Sequence, residues 1–243
     1  MTLSKVFSLG RAVAALMIAV MSVPAVNASR AGDVTTYALN VSDFTELKVT
    51  DNISVIHRTV PDSVGTAVFR ADPNQAAAIL FEPNGAKLTI QKDSESTVTE
   101  LPVVIVYSSF LSKVENSGTG TVRVESPASG AKFSATVIGN GSLIVNNLNH
   151  VNVDASIKTG KGSLIVNGKC TNARLLDAGT GQIQADGLEA DMVKCSLWGT
   201  GSVGCVARRK LNIGGAGSGT VYYIGEPEIK SHSIGVKAEP LNK

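Results

Sequence analysis

The sequence predicts an all-β chain wound into a parallel β-solenoid, a β-helix of about 20 residues per coil. Three observations predict it. A Gly-x-Gly word recurs six times: Gly118-Thr-Gly-Thr-Val, Gly139-Asn-Gly-Ser-Leu, Gly160-Lys-Gly-Ser-Leu, Gly179-Thr-Gly-Gln-Ile, Gly199-Thr-Gly-Ser-Val and Gly217-Ser-Gly-Thr-Val. The first glycines stand 21, 21, 19, 20 and 18 residues apart. Between the words, apolar residues fall at alternate positions: Phe133, Ala135, Val137; Ala173, Leu175; Val193, Cys195, Leu197; Leu211, Ile213. Aromatic residues make up only 5% of the chain against 24 glycines, which suits thin repetitive β-structure better than a globule around a deep pocket.

Each word has a physical reason. The glycine pair turns the chain sharply, and the polar-then-aliphatic residues after it suit the start of a strand. Asn146-Asn147, Asn167-Gly168 and Asp186-Gly187 offer a second corner in each of three coils, because such pairs accept left-handed backbone. One coil cannot bury its inward row alone. Stacking coils at the ~4.8 Å strand spacing makes a continuous core. An antiparallel meander has no reason to repeat a whole polar–aliphatic word, and a propeller blade needs about 40–45 residues. The row Val151, Val153, Ala155, Ile157 lies one residue out of phase with Gly160, which predicts a bulge there.

Taken in order, the chain begins with a secretory signal peptide over residues 1–28. Lys5 and Arg11 are basic, Ala12 to Val23 is apolar, and Val26-Asn27-Ala28 supplies small residues for cleavage. No cysteine follows that would carry a lipid. Removing the signal leaves 20 basic and 20 acidic residues, since 22 − 2 = 20 and the leader has no acid. The basic pI therefore belongs to the leader and argues nothing for nucleic acid, which is not expected as a partner. No integral membrane segment is expected in the mature chain.

Residues 29–39 read as a lead-in, and 40–240 as one β-helix domain, with irregular early coils over 40–110 and the glycine repeats over 111–227. In the early part, strands are expected at Glu46–Thr50, Ile53–His57, Thr66–Arg70, Lys87–Gln91 and Val103–Tyr107. One short helix is expected over Pro73–Phe81, capped by Asp72. Cys170, Cys195 and Cys205 are odd in number, so at most one intramolecular bridge forms; small core residues are the simpler reading, with Cys195 on the inward row.

Phe44-Thr-Glu-Leu-Lys-Val, Lys87-Leu-Thr-Ile, Val103-Val-Ile-Val-Tyr, the glycine words and the closing Val221-Tyr-Tyr-Ile-Gly-Glu-Pro227 together resemble the bacterial family of auto-transporter adhesin head GIN domains. The likeness spans roughly residues 40–238. It implies a right-handed parallel β-helix, single-stranded, exported by Gram-negative bacteria to the periplasm, outer surface or medium.

Chemistry is sparse. Gly199-Thr-Gly-Ser-Val-Gly204 matches the dinucleotide pattern literally, but it is the fifth of six corners and leads into a strand. The corners lack the aspartates of calcium-binding rolls, and His57, His150 and His232 have no ligand spacing, so no metal or other cofactor is expected and strand or surface positions are the default for the histidines. Asp154, Asp177, Asp186 and Asp191 with Lys158 or Lys161 would have to converge for a polysaccharide lyase or hydrolase, the alternative function; outward, solvated positions are the simpler expectation. Arg208-Arg209-Lys210 reads as a solvated turn. The ligand-binding candidates are Trp198, which precedes a corner, and Tyr222 and Tyr223, which follow the next; they would offer sugar-stacking faces or cap the core. The expected function is a non-enzymatic envelope or surface protein, adhesive through an extended face, with glycans or envelope and host-surface components as partners. An uncovered terminal coil raises end-to-end assembly as a third reading.

Overall fold

The computed structural model describes residues 33–241; the signal peptide expected over residues 1–28 lies outside them. The early chain forms β1 (Thr35–Asn40), β2 (Glu46–Val49), β3 (Val55–Arg58), β4 (Thr66–Ala71), helix α1 (Pro73–Ala77), β5 (Ile79–Asn84), β6 (Lys87–Lys92), β7 (Val104–Tyr107), β8 (Lys113–Asn116) and β9 (Thr121–Val124). The repeats form β10 (Gly130–Val137), β11 (Ser142–Ile157), β12 (Ser163–Asp177), β13 (Gln182–Gly199) and β14 (Ser202–Gly217), and the chain closes with β15 (Thr220–Ile224), β16 (Glu228–Ile234) and β17 (Lys237–Pro240).

Strands β11 to β14 each bend round a corner and serve two sheets. Their first halves continue a back sheet of β7, β3 and β9 and run on to β15 and β17. Their second halves continue a front sheet of β6, β2, β8 and β10 and run on to β16. Between the sheets, identical columns stack one residue per rung. On the front, Leu88, Leu47, Val114, Ala135, Ala155, Leu175, Cys195 and Ile213 follow one another inward. On the back the column is Val104, Val55, Val122, Leu143, Leu164, Ile183, Val203 and Val221. No member is more than 2% exposed. Each large aliphatic so buried contributes about 1.5–3 kcal/mol, which is why the alternating pattern fixes the register.

The glycine corners fall in register along one edge. A Cβ on Gly160 would overlap the carbonyl of Gly139, and the same holds for Gly199 over Gly179, Gly217 over Gly199 and Gly235 over Gly217. Backbone passes so close to backbone that no side chain fits. The phase slip at Gly160 is absorbed there and not by a strand bulge. β10 and β11 pair without interruption from Phe133↔Val153 to Val137↔Ile157. The corner after Ile157 then has one more residue (158–162) than the corner after Val137 (138–141). Register shifts occur instead at the other corner, between Val145 and Leu148, where Asn147 is left-handed (φ 57°), and between Ile165 and Asn167.

The early coils share the stack but not its sequence order. Leu47 pairs with both Leu88 and Val114, and Val55 with both Val104 and Val122, so the β2–β3 coil is inserted between its successors. Antiparallel strands close that end: β4 on β7, β1 on β4, and β5 on β6. Tyr37, Phe69 and Phe81 stack over it with centroids 5.3 and 5.9 Å apart. Helix α1 has the expected cap, with Asp72 Oδ1 accepting from the N–H of Asn74 and Gln75 at 2.8 and 2.9 Å. It is shorter than expected because Ile79–Asn84 pairs with β6. No described helix is long and apolar enough to cross a membrane.

Candidate binding face

Alternation sends every second residue of each sheet outward, and the two outward faces differ in charge. From β9 to β15 the back sheet presents Ser, Thr, Gln, Ile, Val, Gly and Tyr, with Arg123 as its one charged position on those rungs. The front sheet carries the cations. Its central outward column reads Ser134, Asp154, Arg174, Lys194, Asn212, Lys230. Asp154 is held by Lys132 at 2.7 Å, and Lys230 by Glu228 at 3.0 Å. Arg174 and Lys194 have no ion-pair partner among the described residues, yet they are direct rung neighbours, about 4.8 Å apart. Like charges side by side on a sheet cost stability, and a bound anion would relieve that cost.

Apolar and hydroxyl groups frame the pair. On one side lie Leu176 and Ser196, then Trp198, which is 56% exposed and stacks in register under Ala216 and Ile234. On the other side lie Met192, 40% exposed, and Lys210. Trp198 stands four residues from Lys194, so the patch is about 13 Å across. Tyr222 and Tyr223 are not brought to it. Both lie on β15 in the back sheet, Tyr222 outward beside Gly204 and Tyr223 inward against the core.

The sequence pattern of the family described as "Putative auto-transporter adhesin, head GIN domain" matches residues 43–227, three-quarters of the chain. The chain belongs to that family. Comparison with curated proteins finds no match. Among solved structures, this GIN-domain chain is similar to a "putative adhesin" from Bacteroides fragilis, with TM-score 0.77 and 19% identity over 86% of this chain and 97% of the other. A "putative lipid binding protein" from Parabacteroides distasonis gives 0.68 and 18% over 86% and 97%. A "putative adhesin" from the same organism gives 0.66 and 23% over 86% and 98%.

The four candidate aspartates of this GIN-domain chain do not converge. Asp154 faces out from the front sheet, Asp186 is exposed at the far corner, and Asp191 is half-buried there. Asp177 overturns the expectation of a solvated position: it is 1% exposed, on the inward column that Asn116, Val137 and Ile157 also share. Its Oδ1 accepts from the Gly179 N–H at 2.9 Å, Oδ2 has no partner, and burial raises its pKa. Two histidines hold strand positions, as expected, and point inward. His57 is fully buried, with Nε2 2.8 Å from Ser108 Oγ, and burial lowers its pKa to about 4. His150 is 4% exposed.

All three cysteines are free. Cys195 lies inward as expected, and contact with Cys205 together with burial pushes its thiol well above the usual range. Gly199–Gly204 forms a corner and strand with no helix after it, so it cannot cradle a pyrophosphate. Arg208 of the basic cluster pairs with Glu189 at 2.6 Å, while Lys210 joins the front face. Only the period of 20 could have revealed the Arg174–Lys194 pair in the sequence, because 194 − 174 equals one coil.

Proposed function

We propose that this GIN-domain chain is an exported, non-enzymatic, adhesin-like β-helix protein that holds acidic glycans of an envelope or host surface on its front sheet. The unpaired Arg174 and Lys194, on adjacent rungs beside exposed Trp198, carry the reading. Cations attract carboxylate or sulfate groups, the indole face stacks on a sugar ring, and neighbouring rungs repeat the contact along a chain. Affinity then comes from several weak contacts on a flat surface, in keeping with depressions that are shallow and open. Tyr222 is a second candidate contact, on the back sheet, while Tyr223, packed against the core, is not offered to a ligand. The compartment proposed is the periplasm or outer surface of a Gram-negative cell.

The test is a glycan-array and envelope-fraction binding screen of wild type, Trp198→Ala, Tyr222→Ala and Arg174→Glu/Lys194→Glu. Retention of acidic glycans that is lost in the charge reversal and weakened at least five-fold by Trp198→Ala supports the reading. Retention of neither glycans nor envelope fractions overturns it. Loss on Tyr222→Ala alone would move the site to the back sheet.

A further inference from the structure

His150 is buried, and neither Nδ1 nor Nε2 has a hydrogen-bond partner. Burial disfavours the charged ring, and both ring nitrogens are left without the hydrogen bonds that water would supply. His57, the other inward histidine, at least meets Ser108. His150 belongs to a column of Gly130, His150, Cys170, Ala190 and Ala207, one residue per rung. Beneath it, Gly130 leaves room for aromatic rings: a Cβ there would come within 2.9 Å of Phe110 and 3.3 Å of the His150 ring. Phe133 meets the imidazole edge-on at 5.4 Å. On the next rung stands Cys170, the half-buried thiol of the three. Both residues line an open depression of about 410 Å³ with Ser129, Lys169 and Thr171.

The geometry points to a two-coordinate site for a soft monovalent cation, Cu(I) or Ag(I), held between Cys170 Sγ and a ring nitrogen of His150. His150 and Cys170 are register partners on adjacent rungs ~4.8 Å apart, a span that two metal–ligand bonds can bridge. Among the described residues no three His, Cys, Asp or Glu side chains converge as a metal site. Zinc and calcium, which take four or more ligands, therefore have no home here, whereas a thiolate selects a soft ion content with two. Binding breaks the Cys170 S–H bond and forms the S–metal bond, the proton leaves to solvent, and the neutral imidazole gives its lone pair. The ion displaces the thiol proton, so binding weakens as pH falls. Asp191 favours a cation in the depression, and Lys169 at its rim opposes it only from an exposed position.

Ag(I) titrated anaerobically into the purified, reduced protein tests this, with native mass spectrometry for stoichiometry and a competing thiol for affinity. One ion per chain is expected, absent in Cys170→Ser and bound at least ten-fold more weakly by His150→Gln. No bound ion, an ion retained by Cys170→Ser, or an affinity unchanged in His150→Gln each overturns the site; the last would mean a lone thiol. If His150→Gln does not fold, the wild-type His150 ring nitrogen resonances decide: a shift on Ag(I) addition supports the site, and unmoved resonances overturn it.

Discussion

Asp177 and Asn116 occupy one position of the corner and show what that position wants. Asn116 accepts from the Gly118 N–H at 3.1 Å and donates Nδ2 to the carbonyls of Gly120 and Ser142, both at 2.9 Å. Asp177 reproduces the first bond but has no amide to donate, so Oδ2 is orphaned beneath Gly201, where even a Cβ would collide with it. The fold therefore prefers the carboxyl protonated. Its folded pKa lies above the ordinary 3.8, so the native state holds the proton longer than the unfolded chain. Stability is lost as pH rises from about 4 through the raised pKa. His57 has the opposite sign: its folded pKa of about 4 lies below the ordinary 6.5, so stability is lost as pH falls through that window. Asp177→Asn is expected to stabilise by about 1–3 kcal/mol at pH 7 and by less near pH 4, read from urea midpoints at both values. An equal gain at both would contradict the protonation account. Neither group was legible as buried, because sequence alternation marks Asp177 as the inward position yet its charge argues for the outside.

At the scale of the element, adjacent glycines in β14 separate packing from propensity. Gly215 has φ 118°, and a Cβ there would overlap the Leu197 carbonyl on the rung below. Gly214 faces outward with nothing within 4 Å. Gly215→Ala is expected to cost at least 3 kcal/mol, while Gly214→Ala stays within about 0.5 kcal/mol, measured by thermal unfolding. The corners and inward columns were legible because one period repeats both at every coil. The insertion of β2–β3 between later coils was not, since pairing order leaves no mark on local alternation. The β5 strand was hidden too: Pro83 and the helical opening at Pro73 masked a hairpin that only β6 completes. The basic pair and Trp198 needed the register before they could be seen as neighbours.

Over the whole molecule, the two ends are finished differently. Antiparallel strands and stacked rings cover the first coils, whereas β16 and β17 are exposed along almost all their length. In a stack where each rung leans on its neighbours, amide hydrogen exchange should be fastest in β16 and β17 and slowest in β11 to β14. Uniform protection would contradict that gradient. The open edge is blunted by Lys230, Lys237 and Pro240, devices that discourage strand addition, so the purified chain should sediment as a monomer; a concentration-dependent rise in sedimentation would favour end-to-end assembly. What the scaffold offers is a flat face on which two cations, Arg174 and Lys194, stand on adjacent rungs. The most direct test is equilibrium binding of an acidic polysaccharide, against its neutral counterpart, to wild type and to Arg174→Glu/Lys194→Glu over a range of salt. Selective binding that weakens with salt and falls at least ten-fold in the double variant is the expected result; equal binding of both polymers, or a double variant that binds as well as wild type, would contradict it.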